Sequence, residues 1–174
     1  MEIVPFLAPE NRSVRIGRKR GQEPDLPKRN MSKRKGSNPK RRLAPADRLG
    51  AEAREALAHR LVYVGSALHK SKPGDYGFRP PVNPRPWKSI CDGLRVVLLA
   101  EARDLFRRGI LIGMFSEFSP DETPKYVWSV DPHGEVYEAK ISPGTNEYKG
   151  YRLEEEDAMG AVVLREWKRR NPAN

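Results

Sequence analysis

Lys125-Tyr126-Val127-Trp128-Ser129-Val130, Asp131-Pro132-His133-Gly134 and Glu135-Val136-Tyr137-Glu138-Ala139-Lys140-Ile141 follow one another without a break, and this stretch decides the fold. Aromatic and β-branched residues fill both flanks, while four turn formers sit between them. That is the pattern of a hairpin with a four-residue loop. Tyr126, Trp128 and Val130 alternate onto one face, and Tyr137, Ala139 and Ile141 onto one face of the partner strand. Pro143-Gly144-Thr145-Asn146 makes a second turn into Tyr148-Lys149-Gly150-Tyr151-Arg152-Leu153. A three-stranded antiparallel β-meander is expected.

Beyond it, Glu154-Glu155-Glu156-Asp157 and Lys168-Arg169-Arg170 bracket an apolar face of Met159, Val162, Val163 and Trp167. Acid in the first turn and base in the last complement a helix macrodipole, and Asn171-Pro172 stops the helix. Upstream, Asp92 is a candidate N-cap for a helix whose face is Leu94, Val97, Leu98, Ala102 and Leu105 and whose end is Gly109. Ile110-Leu111-Ile112 and Met114-Phe115 then read as a short buried strand. From Lys72 to Trp87 there are five prolines and two glycines, too many for regular structure. With Tyr76, Phe78 and Trp87 to pack, the segment reads as an ordered flap. Leu61 to Val64 is a short strand closing at Gly65-Ser66. Before it, Leu49, Ala53, Ala56, Leu57 and Leu61 recur at helical spacing behind an Asp47 cap.

The expected fold class is therefore α+β: a three-stranded antiparallel β-meander with one or two extra strands packed against about three helices, preceded by a disordered basic arm. The arm covers residues 1–43, and a single α+β globular domain covers 44–174. Charge draws that boundary. The chain has 174 residues and a formal net charge of +10, yet residues 1–42 hold 13 Lys and Arg against 4 acidic residues. The remaining 132 residues hold 20 against 19, so the domain is close to neutral. The arm has no apolar periodicity, so nothing offsets the entropy of ordering it. Met31 lies inside it and offers an alternative start.

Several classes drop out. No apolar run approaches the roughly 18 residues of a membrane span. The lone Cys91 forms no internal disulfide, which suits a reducing, cytoplasmic setting. There is no phosphate-binding Walker loop, G-x-G-x-x-G, H-E-x-x-H or G-x-S-x-G. Histidines at 59, 69 and 133 lack ligand spacing, so neither a metal nor a cofactor is expected.

What remains is nucleic acid. Arg18, Lys19, Arg20, Lys28, Arg29, Lys33, Arg34, Lys35, Lys40, Arg41 and Arg42 are the candidate phosphate-binding residues, because each cation seated on a phosphate releases condensed counterion. The first expectation is a non-catalytic protein bound to RNA or DNA through this arm, with a protein partner as a further possibility. The alternative is a small, toxin-like, metal-independent ribonuclease, whose chemistry needs a base, an acid and cationic stabilisation. His69, Lys70, Arg79, His133 and Glu138 are its candidates, with the His69-Lys70 loop and the meander as cleft. Each also has a plainer reading, as a polar side chain in a turn or facing solvent. Cys91, just before the presumed Asp92 cap, is a weaker candidate thiolate. If one face of the meander were open, Tyr126, Trp128, Tyr137, Tyr148 and Tyr151 beside Lys125, Lys140, Lys149 and Arg152 would form a base-stacking platform. Core packing explains most of them equally well.

Overall fold

The computed structural model describes residues 38, 40–120 and 122–171. All of them belong to the second of two units, Met31–Asn174. The disorder expected of the arm, and Arg18 through Lys35 with it, lie outside the described residues.

The order is α1 (Ala51–Arg60), β1 (Val62–Tyr63), two 3-10 turns (Ala67–His69 and Pro73–Tyr76), α2 (Leu99–Ile112), β2 (Tyr126–Val130), β3 (Val136–Ile141), β4 (Glu147–Arg152) and α3 (Ala158–Arg170). The strands form one sheet in the order β1-β4-β3-β2. β2 pairs antiparallel with β3 and β3 with β4, whereas β1 runs parallel to β4. The fold is α+β, a mixed four-stranded sheet with three helices.

In the β2–β3 hairpin Tyr126 stands opposite Lys140, and Val130 opposite Val136. Its turn is held by Asp131, whose carboxylate accepts from the backbone N–H groups of His133 and Glu135, each at 2.9 Å. Helices then cover both faces of the sheet. Val127, Tyr137, Ala139 and Tyr148 share a core with Leu57 of α1 and Leu105, Phe106 and Ile110 of α2. Tyr126, Trp128, Val130, Val136 and Tyr151 share another with Met159, Val163 and Trp167 of α3. All five residues of β2 are consequently buried. Neither face is open as a stacking platform: Tyr126, Trp128, Tyr137, Tyr148 and Tyr151 are all core residues.

Four local expectations change. α2 begins at Leu99, seven residues after Asp92, and continues through Ile110–Ile112 to end at Gly113 in the left-handed conformation, φ 82°. Gly109 is a contact residue instead of a stop, since a Cβ there would lie 2.3 Å from the carbonyl oxygen of Trp128. The acidic run precedes α3, where only Asp157 acts, as N-cap accepting from Met159 N–H at 3.0 Å. α1 starts after Gly50 without a side-chain cap, and Asp47 lies in a turn before it.

Candidate functional site

Composition places Arg41 in the arm, but its guanidinium is inside the domain. It donates through Nε to Glu138 at 2.8 Å and through Nη2 to Asp157 at 2.9 Å, and its side chain is 6% exposed. Burial works against the charge, but hydrogen bonds and Coulomb attraction from Asp157 and Glu138 outweigh it and raise the Arg41 pKa above its ordinary value. Glu138 also accepts from Trp128 Nε1 at 2.9 Å and from the Tyr151 hydroxyl. Three donors therefore converge on one buried carboxylate. The Arg41 guanidinium is buried and paired through Nε and Nη2, whereas Lys40 and Arg42 on either side of it are exposed. Leu43 forms an isolated bridge with Ser116, and Ala44 N–H bonds to Phe115 C=O at 2.9 Å, so Arg41 and Leu43 pack on the domain although composition groups them with the arm.

A second buried cluster holds the base of the flap. The Lys70 side chain is completely buried, and its Nζ lies 2.9 Å from Asp92, 2.9 Å from the Val97 carbonyl and 3.5 Å from Asp75. An ammonium has three donors, and these partners match them. Its charge also lies 4.4 Å from the Tyr76 ring centroid. Asp92 accepts further from the backbone N–H and hydroxyl of Ser71, at 2.8 and 2.9 Å. Burial opposes ionisation of Asp92, but the Ser71 and Lys70 donors prevail and hold its pKa below the usual carboxylate value. The presumed helix cap is thus a loop staple.

His69 is half-buried. Its Nδ1 lies 2.7 Å from the Ser89 carbonyl, and its ring centroid is 5.1 Å from that of Tyr151. Through Tyr151 it touches the Glu138 cluster, so two of the five nuclease candidates are linked, though only by way of a phenol. Lys70 faces the other cluster. Arg79 and His133 are exposed on separate loops, the flap and the β2–β3 turn. Cys91 is 4% exposed, its sulfur 3.8 Å from the Tyr76 hydroxyl. Burial pushes the thiol pKa up, the reverse of what a nucleophile needs.

A cavity of about 20 Å³ lies in the core beside Tyr63, Cys91, Phe106, Tyr137 and Gly150. That is room for about one water, not a substrate. Among the described residues no group of His, Cys, Asp and Glu is arranged to hold a metal ion. None of the described helices is long and apolar enough to cross a membrane.

The outer flap is different. Tyr76 is buried and Phe78 packs against the core, but Trp87 is 59% exposed. Val82, Leu94, Val96 and Leu98 are exposed as well. Lys72, Arg79 and Arg85 are exposed and Lys88 is half-buried, and none of their side chains has an ion-pair partner among the described residues. Sequence reasoning took Trp87 for a packing residue. The missed signal is its setting, Pro84-Arg85-Pro86-Trp87-Lys88, where the residues next to the indole along the chain are prolines and cations instead of the aliphatic residues of a core segment.

Compared with known proteins, the chain matches no family model, no curated protein and no solved structure.

Proposed function

We propose that this chain is a nucleic-acid-associated protein that holds RNA or DNA electrostatically through its polybasic N-terminal segment, with the α+β domain as a non-catalytic platform. The charge distribution carries the reading: residues 1–42 hold +9 of a net +10. Phosphate contacts of this kind position a protein without reading sequence. The domain's chemistry supports the non-catalytic half. A ribonuclease needs a cation and a carboxylate free to meet the scissile phosphate, whereas Lys70 is committed to Asp92 and Glu138 to Arg41, Trp128 and Tyr151. Arg41 is withdrawn from the phosphate-binding set, and Lys40 and Arg42 stay in it.

The test is fluorescence anisotropy of labelled RNA and DNA across 50 to 300 mM salt. The full-length protein is compared with a variant in which Arg18, Lys19, Arg20, Lys28, Arg29, Lys33, Arg34 and Lys35 are changed to Gln. Eight seated cations give a slope of about −7 in log K against log salt on duplex DNA, and the variant should lose most of it. Binding of equal strength and slope in both proteins would refute the reading. Arg41 stays native in both, because removing it strips the core of a buried partner.

A further inference from the structure

We propose that Trp87, with Arg85 and Lys88, forms a stacking site for unpaired bases, giving the folded domain its own contact with single-stranded nucleic acid. The inference rests on the nucleic-acid reading above and adds a second, chemically different contact to it.

Three observations carry it. First, an indole 59% exposed is a large apolar surface with no use inside the fold. It is also the exposed member of three tryptophans: Trp128 and Trp167 are 0% and 7% exposed. Second, cations flank it. Lys88 N–H bonds to Arg85 C=O at 2.9 Å, which closes Arg85 to Lys88 into one turn and sets a charge on either side of the ring along the chain. Asp75, the one acid of the flap, and Asp92 just beyond it are both engaged with Lys70, so the charge left on the flap is positive. Third, the display is stiff. Pro84 and Pro86 fix their own φ angles, while Cys91 N–H to His69 C=O at 2.8 Å and Ser71 N–H to Asp92 at 2.8 Å hold the base of the flap. A backbone restrained in this way loses less entropy when a base stacks on the side chain it carries.

An exposed aromatic with cations next to it along the chain has the parts with which single-strand binders hold a base and its phosphates, because every base has a π-face. A duplex hides those faces within its own stack. The exposed aliphatics Val82, Leu94, Val96 and Leu98 are also compatible with a protein partner, but such a partner leaves unexplained Arg85 and Lys88, the cations next to Trp87 in sequence, which have no ion-pair partner among the described residues.

The experiment titrates the full-length protein with a 12-nucleotide oligo(U) and a 12-base-pair duplex, following tryptophan emission and anisotropy from 50 to 300 mM salt. Oligo(U) should quench the solvent-exposed emission and the duplex should not. Trp87→Ala should abolish the quench and weaken oligo(U) binding roughly 5- to 150-fold at an unchanged salt slope, since it removes no charge. The double variant Arg85→Gln, Lys88→Gln should lower the single-strand slope by about 1.4. Surface substitutions of this kind leave stability within about 0.5 kcal/mol, so an unchanged melting midpoint guards against misfolding. If oligo(U) binds with a steep salt slope but emission is constant and Trp87→Ala binds like wild type, the stacking site is refuted and the arm reading stands. If no nucleic acid binds at any salt, both fail. Quenching by duplex equal to that by oligo(U) overturns the single-strand assignment. So does Trp87→Ala that leaves oligo(U) binding intact but turns a self-associating protein monomeric, for Trp87 then lies in a protein interface.

Discussion

Replacing Arg41 by Met should destabilise the domain far more than its place beside the polybasic segment suggests. The substitution keeps most of the side-chain volume, but it leaves Glu138, 1% exposed, and Asp157, 9% exposed, without their shared cation. Removing one partner of a buried ion pair costs about 3 to 5 kcal/mol, because the remaining charge is left desolvated. Glu138 still accepts from Trp128 and Tyr151, which favours the lower end. At about 3 to 4 °C per kcal/mol for a domain of this size, the melting midpoint should fall by roughly 10 to 15 °C. Urea unfolding followed by emission of the buried Trp128 and Trp167 measures it directly. A cycle with Glu138→Gln sharpens the result, since the amide keeps an acceptor for Trp128 and Tyr151 without the charge. The double variant should then be less destabilised than the sum of the singles, by about 1 to 3 kcal/mol of coupling. An Arg41→Met protein within about 0.5 kcal/mol of wild type, the range of ordinary surface changes, would show that the guanidinium is not held inside and refute the reasoning.

Lys70→Met should loosen the flap, seen as faster hydrogen exchange of the Ser71 amide that Asp92 accepts, with a cost of about 3 to 5 kcal/mol; unchanged exchange would contradict the staple. Gly109→Ala should destabilise by about 1 to 3 kcal/mol despite Ala's better helix propensity, since the new methyl meets the Trp128 carbonyl; a gain in melting midpoint would show that α2 shifts freely. Asp131 is also held below its ordinary pKa, with burial opposing and Arg95 and the turn amides prevailing. A depressed carboxylate stabilises the fold above its unfolded value near 3.9 and loses that contribution as pH falls through the folded value. Asp131→Asn should therefore be less stable than wild type at pH 7, with the gap closing toward pH 2 in denaturant titrations; a gap constant with pH would refute the linkage. Cys91 should react with a thiol reagent at pH 7.5 more than tenfold slower than free cysteine, and reaction at the free rate would mean the thiol is open.

The hairpin was legible because period-two alternation and a loop of four turn formers are both local signals. What lay on each face was not. Val127 and Trp128 are adjacent and both buried, and a single-sided pattern gives no hint that α2 takes one and α3 the other. Gly109 looked like a helix stop because a carbonyl from β2 is invisible along the chain, and Asp92 looked like a cap because Lys70 is 22 positions away in sequence. Glu138 alternates with Tyr137 and Ala139 like a solvated strand residue; Arg41, 97 positions upstream, is what lets it be buried. The same distance hid Arg41 within a run of solvated cations. In each case the long-range partner decided the outcome, and composition is blind to partners.

The parallel pairing of β1 with β4 has a consequence for synthesis. Val62 lies beside Glu147 and Tyr63 beside Tyr148, so β1 leaves the ribosome 85 residues before the strand that completes it. At 5 to 20 residues per second that is a wait of roughly 4 to 17 s. During it Leu61 and Tyr63, buried in the finished domain, face solvent on the nascent chain. Residues 1–42, with their net +9, have already emerged by then, so the charged segment is complete before the sheet is.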